Sequence, residues 1–177
     1  MNDRSSALES IARPLYFMAL LLIATPLVDF FANAWPIRLG EVGYRYGVVG
    51  LLSGFVLTPL LGLGVACALA LVLGHRTVLR VLAILCVVGA VLLLVAAIDF
   101  SLDVIQLRRN VPDAQRWSFQ VGALKALVKH LSGAAALAWL GLATRRALRS
   151  GRFEQGARSA VAPLVVPRSQ DEGARGK

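Results

Sequence analysis

The sequence predicts an all-α integral membrane protein: a bundle of four transmembrane helices with both termini in the cytoplasm. Three observations predict it. Apolar runs at about 14–35, 48–73, 78–100 and 119–144 fill most of the 177 residues, each long enough for the ~20 residues a helix needs to cross ~30 Å of hydrocarbon. A mean hydropathy of +0.68 with 57% hydrophobic residues excludes a soluble domain of this size. The ~10-residue alternating segments of a barrel strand are absent, and backbone in lipid must satisfy its own hydrogen bonds, so each run is expected to be a helix.

Residues 1–13 form a cytoplasmic lead-in holding Asp3, Glu9, Arg4 and Arg13. The first run carries Ala32, Asn33 and Ala34, an A-x-A pattern that a cleaved signal peptide would show. The stretch 14–31 exceeds the usual apolar length of such a peptide, Asp29 interrupts it and the lead-in is barely positive, so the span is expected to be retained. The first two runs each contain Thr-Pro-Leu, at Thr25, Pro26, Leu27 and at Thr58, Pro59, Leu60. Proline removes a backbone hydrogen bond, so Pro26 and Pro59 are expected to kink their helices.

Run two offers Gly50 and Gly54 at GxxxG spacing, and run four offers Gly133, Ala134, Ala138 and Gly141. Small residues let membrane helices approach closely, so these six are expected to form packing faces. Cys67 and Cys86 stand on opposite arms of the inner hairpin and are read as buried thiols, without redox or metal spacing.

The charges near the spans are the most informative residues. Counted from Trp35, Asp29 lies ~9 Å beneath the outer interface; counted from Trp117, Lys125 lies ~12 Å beneath it, with Lys129 one turn deeper on the same face. Asp99 is near the outer end of run three. Because an unpaired charge costs at least ~2.5–3.5 kcal/mol in the membrane, Asp29, Asp99, Lys125 and Lys129 are expected to form an ion-pair cluster, with Asp29 paired to one of the lysines. His130 is expected to hydrogen-bond within the bundle; haem ligation with His75 is disfavoured because the two differ in depth.

In the outer loops, Arg38, Glu41 and Arg45 could organise the first by salt bridges or lie along headgroup phosphates. In the second, Val104, Ile105 and Leu107 oppose Asp103, Gln106 and Arg108, which extends helix three beyond the bilayer before a turn at Asn110 to Asp113. The inner segments carry nine arginines (4, 13, 76, 80, 145, 146, 149, 152, 158) against five outside (38, 45, 108, 109, 116), which places both termini inside. The tail 145–177 holds eight basic residues against three acids, +5 of the formal +9. It is expected to be largely disordered and to touch anionic lipid rather than nucleic acid.

Around the first hairpin, Trp35, Pro36, Gly40, Tyr44, Arg45, Tyr46, Gly47, Gly50, Leu51 and Leu52, followed by Pro59, Leu60, Leu61, Gly62 and Leu63, resemble uncharacterised small four-span bacterial membrane proteins. They are also distantly similar to the membrane protein family associated with hormogonium polysaccharide secretion. The resemblance covers residues 35–63 and the span layout, and it implies no catalytic residues.

No nucleophile–base arrangement, metal-ligand spacing or cofactor motif is present in the sequence. The expectation is therefore a non-enzymatic scaffold or accessory subunit of a bacterial inner membrane, packed against other membrane proteins, itself or lipid, with no cofactor. Two alternatives are a small transporter or channel subunit with a polar cavity near the outer leaflet, and a membrane enzyme acting on lipid or quinone.

Overall fold

The computed structural model describes the backbone of residues 2–150 and the side chains of residues 10–150. The chain is all-helical, with no strand among the described residues. Helix α1 spans Asn2–Ala34, α2 Val42–Phe55, α3 Leu57–Val72, α4 Arg76–Leu107 and α5 Arg116–Arg149. Three of these regions are long and apolar enough to cross a membrane: Ser10–Ala34, Arg76–Asn110 and Asp113–Arg149. The second apolar run is not one helix. It is the pair α2 and α3, bent by 42° at Val56, and counts as a fourth span only when the pair is taken together.

The position of that bend follows from Pro59. Proline has no N–H, so the carbonyl of Phe55, four residues earlier, loses its helical partner. The next bond, from Leu60 N–H to the Val56 carbonyl, is long at 3.3 Å. Helix α1 is one continuous helix that contains Pro14 and Pro26.

The turns obey local chemistry. After α3, Gly74 adopts φ +71, the left-handed conformation glycine enters without a side-chain penalty. Gly74 N–H then reaches the Leu71 carbonyl and His75 N–H the Ala70 carbonyl, which satisfies two carbonyls at the helix end in a Schellman arrangement. At the far end, two short 3-10 turns, Arg108–Asn110 and Asp113–Gln115, reverse the chain, and Asp113 pairs with Arg116 at 2.7 Å.

Side-chain size is sorted inside out relative to a water-soluble protein. The core is rich in Ala and Cys: Ala19, Ala66, Cys67, Ala70, Ala83, Cys86, Ala90, Ala97, Ala123, Ala126 and Ala134 are buried. Phe17, Met18, Leu20, Phe31, Val91, Leu92 and Ile98 face outward. In lipid there is no gain in hiding a leucine, so close backbone approach decides what goes inside. Helix α1 lies on α3, where a Cβ at Gly62 would stand 2.9 Å from the Ala19 carbonyl oxygen. The α4–α5 hairpin forms the other half, centred on Cys86, Ala90 and Leu137, with Leu60 and Leu63 of α3 packed against it.

Residues 151–177, expected to form most of the basic tail, lie outside the described residues.

Candidate functional site

The polar residues concentrate where α2 meets the end of the α4–α5 hairpin nearest its 3-10 turns. Because α2 begins at Val42, Arg45 sits in its first turn rather than in a loop. Its guanidinium forks onto Asp103 of α4: Nη2 stands 2.7 Å from Oδ1 and Nε 3.2 Å from Oδ2. Nη1 donates to the Leu39 carbonyl at 2.9 Å. Asp103 is only 2% exposed, and Asp99, one turn earlier, adds its field to the same guanidinium. This two-pronged geometry matches the planar donors of arginine to both carboxylate oxygens. The nearby Tyr44 hydroxyl donates to the Ala34 carbonyl, which ties the end of α1 to α2.

Beside the ion pair, rings from three helices form a column. Phe119 stacks on Tyr46 at 5.2 Å, Tyr46 on Phe100 at 5.0 Å and Phe100 on His130 at 6.3 Å between centroids. His130 is fully buried. Its Nδ1 donates to the Ala126 carbonyl at 2.7 Å, and Nε2 has no hydrogen-bond partner among the described residues.

The Phe100–His130 stack also sets the register of α4 against α5. Residues 81–98 of α4 carry no charge and span ~27 Å at 1.5 Å per residue, close to the ~30 Å hydrocarbon thickness. Asp99 marks the end of that stretch. Lys129, adjacent to His130, is therefore level with the end of that uncharged stretch, and α5 continues for more than three turns beyond it to Arg116.

The four residues expected to form a cluster are not brought together. Asp29, Asp99, Lys125 and Lys129 are all exposed. The ion pairs among the described residues whose partners are defined are Arg38–Glu41, Arg45–Asp103 and Arg116–Asp113. Asp29 belongs to α1, which packs on α3, whereas Lys129 borders the groove beside the α2–α3 break and Lys125 stands one helical turn before it on α5. The buried charge pair is Arg45–Asp103 instead. Its sequence signal was Asp99 and Asp103 at i,i+4 on one face of α4, opposite a lone arginine in the first turn of α2.

The expected packing residues divide. A Cβ at Gly133 would fall 2.6 Å from Val56 Cγ1, and one at Gly141 would fall 3.2 Å from Cys86 Cβ. Ala134 is buried, and Ala138 packs against the Cys86 cluster. These four serve the bundle. Gly50 and Gly54 meet nothing within 4 Å, and neither do Gly43 and Gly47. The spacing 43, 47, 50, 54 puts all four on one face of α2.

A groove runs between the α2–α3 break and α5. Its first part, about 400 Å³, is bordered by Ser53, Gly54, Leu57, Lys129 and Ser132. The second, about 600 Å³, is bordered by Leu61, Gly64, Val65, Trp139 and Leu140, and both share Leu60 and Ala136. At the other end of the bundle, Cys67 and Cys86 are buried, and the Thr144 hydroxyl stands 3.8 Å from Cys67 Sγ. Tyr16 and His75 share a hydrogen bond of 3.1 Å there.

Compared with family models, with curated proteins and with solved structures, the chain matches none of them, so the resemblance over residues 35–63 stands on its residues alone.

Proposed function

We propose that this protein is a non-enzymatic membrane scaffold or accessory subunit that receives a helix of another membrane protein on the glycine face of α2. The observation that carries this reading is the contrast among its glycines. Gly62, Gly133 and Gly141 are used up by contacts within the chain, whereas Gly43, Gly47, Gly50 and Gly54 present bare backbone to the surroundings. Small residues turned toward lipid forgo the contacts a leucine would make there, and they regain them when a second helix approaches the backbone. The excess of arginine in the inner segments supports a setting in a bacterial inner membrane with both termini in the cytoplasm.

The test is purification of the tagged protein in mild detergent, with native sizing and mass spectrometry, alongside Gly47→Leu and Gly50→Leu. Because both positions open outward, the variants are expected to fold as the parent does and to lose a stoichiometric membrane-protein partner. A parent chain that elutes alone, or a partner retained by both variants, contradicts the reading.

A further inference from the structure

We propose that the groove between the α2–α3 break and α5 binds one anionic phospholipid, with its phosphate held by Lys129 and Lys125 and one acyl chain lying toward Trp139. This does not rest on the packing-subunit reading, because it concerns a different kind of ligand; the two surfaces meet at Gly54, which borders the groove.

The groove changes character along its length. Lys129, Ser53 and Ser132 border one end, Val65 and Trp139 the other, and Leu60 with Ala136 joins them. Lys125 stands one helical turn from Lys129 on the same face of α5. Both are exposed, and neither pairs with a carboxylate among the described residues. Of the acids near this end, Asp103 is engaged by Arg45, Asp99 lies on α4 with its field on the same guanidinium, and Asp29 sits on α1. Two cations one turn apart, Lys129 level with the end of the uncharged stretch of α4, are placed to meet a lipid phosphate, and that placement is what selects an anion.

The length of the groove agrees with the same occupant. Lys129 to Trp139 is ten residues of helix, ~15 Å, or half of the ~30 Å hydrocarbon thickness, which is the reach of a chain in one leaflet. The floor has room because the 42° bend at Val56 turns α3 against α2 and because Gly64 offers no side chain. The hydroxyls of Ser53 and Ser132 now donate to the Gly50 and Lys129 carbonyls and need only rotate to donate to phosphate oxygens.

The test is native mass spectrometry of the full chain in detergent with equal amounts of phosphatidylglycerol and phosphatidylcholine. One phosphatidylglycerol per chain is expected to be retained in preference to phosphatidylcholine. Lys129→Gln should weaken that retention roughly fivefold, the equivalent of ~1 kcal/mol per basic residue, and K125Q/K129Q should abolish the preference. Ala136→Trp should reduce retention of both lipids by filling the trough. Arg80→Gln, an exposed cation near the opposite end, should change nothing, and circular dichroism with thermal melts verifies that each variant is folded. Equal retention of the two lipids, a preference that survives K125Q/K129Q, an Ala136→Trp protein that binds normally, or a dimer that excludes lipid from the groove would each overturn the proposal.

Discussion

Arg45 and Asp103, 58 residues apart in the chain, meet through two bonds of 2.7 and 3.2 Å, and with Asp103 almost fully enclosed this pair locks α2 onto α4. A buried carboxylate that loses its cation is strongly penalised, whereas removing both partners is tolerated better. Arg45→Ala is expected to destabilise the protein, because it leaves the enclosed Asp103 carboxylate without its cation, read as a lower thermal midpoint in detergent. Arg45→Ala with Asp103→Leu should recover much of that loss. Equal melting of the single and double variants would mean that the pair contributes no coupling.

The glycines give a paired prediction. At Gly62 the obstructing atom is the Ala19 carbonyl oxygen, 2.9 Å from a would-be Cβ, and backbone cannot swing aside as a side-chain tip can. Gly62→Ala is therefore expected to cost about 1–3 kcal/mol through overpacking of α1 on α3. Gly50→Ala meets open space and should stay within about 0.5 kcal/mol of the parent. Thermal unfolding of the two variants side by side checks both signs.

Pro59 is expected to hold the bend at Val56 open. Pro59→Ala restores an N–H for the Phe55 carbonyl, so α2 and α3 should straighten toward one continuous helix. Spin labels on exposed positions of the two helices, such as Gly47 and Val72, should move apart in the variant. An unchanged distance would assign the 42° bend to packing against α5 instead.

His130 is buried with one unsatisfied nitrogen among aromatic rings. His130→Phe removes that nitrogen, keeps a ring beside Phe100 and is expected to leave stability within about 1 kcal/mol of the parent. His130→Ala opens a cavity in the same place and should cost about 2–5 kcal/mol. Equal losses in the two variants would show that the imidazole's own bond to the Ala126 carbonyl, and not its volume, is what matters.

The apolar runs could be read from sequence because the bilayer imposes one rule on every residue of a crossing segment: the backbone must bond to itself. That is why the all-helical fold and the long apolar helices follow from residue types alone. The Arg45–Asp103 pair did not, for two physical reasons. Arg45 reads as a loop residue because nothing in Gly43, Tyr44, Arg45 and Tyr46 marks a helix start six residues before the apolar run. Asp103 reads as part of a polar face because it alternates with Val104, Ile105 and Leu107 alongside Gln106 and Arg108. The GxxxG pattern at Gly50 and Gly54 identifies bare backbone but not the direction it faces. Facing depends on which side chains, here Tyr46 and Val49, turn α2 toward Phe100 and Ala123. Proline marks the break before Pro59, whereas an identical Thr-Pro-Leu at Pro26 lies inside one continuous helix, so local sequence alone does not decide whether a helix is divided in two.

The central claim is that the glycine face of α2 is a seat for a second helix. The most direct measurement is site-specific photocrosslinking in intact membranes, with a benzophenone side chain at Gly47 or Gly50 and, for comparison, at Val91 or Leu92 on the outward face of α4. The account predicts that the α2 positions crosslink to a distinct polypeptide while the α4 positions label lipid. Lipid labelling alone from all four positions would contradict it.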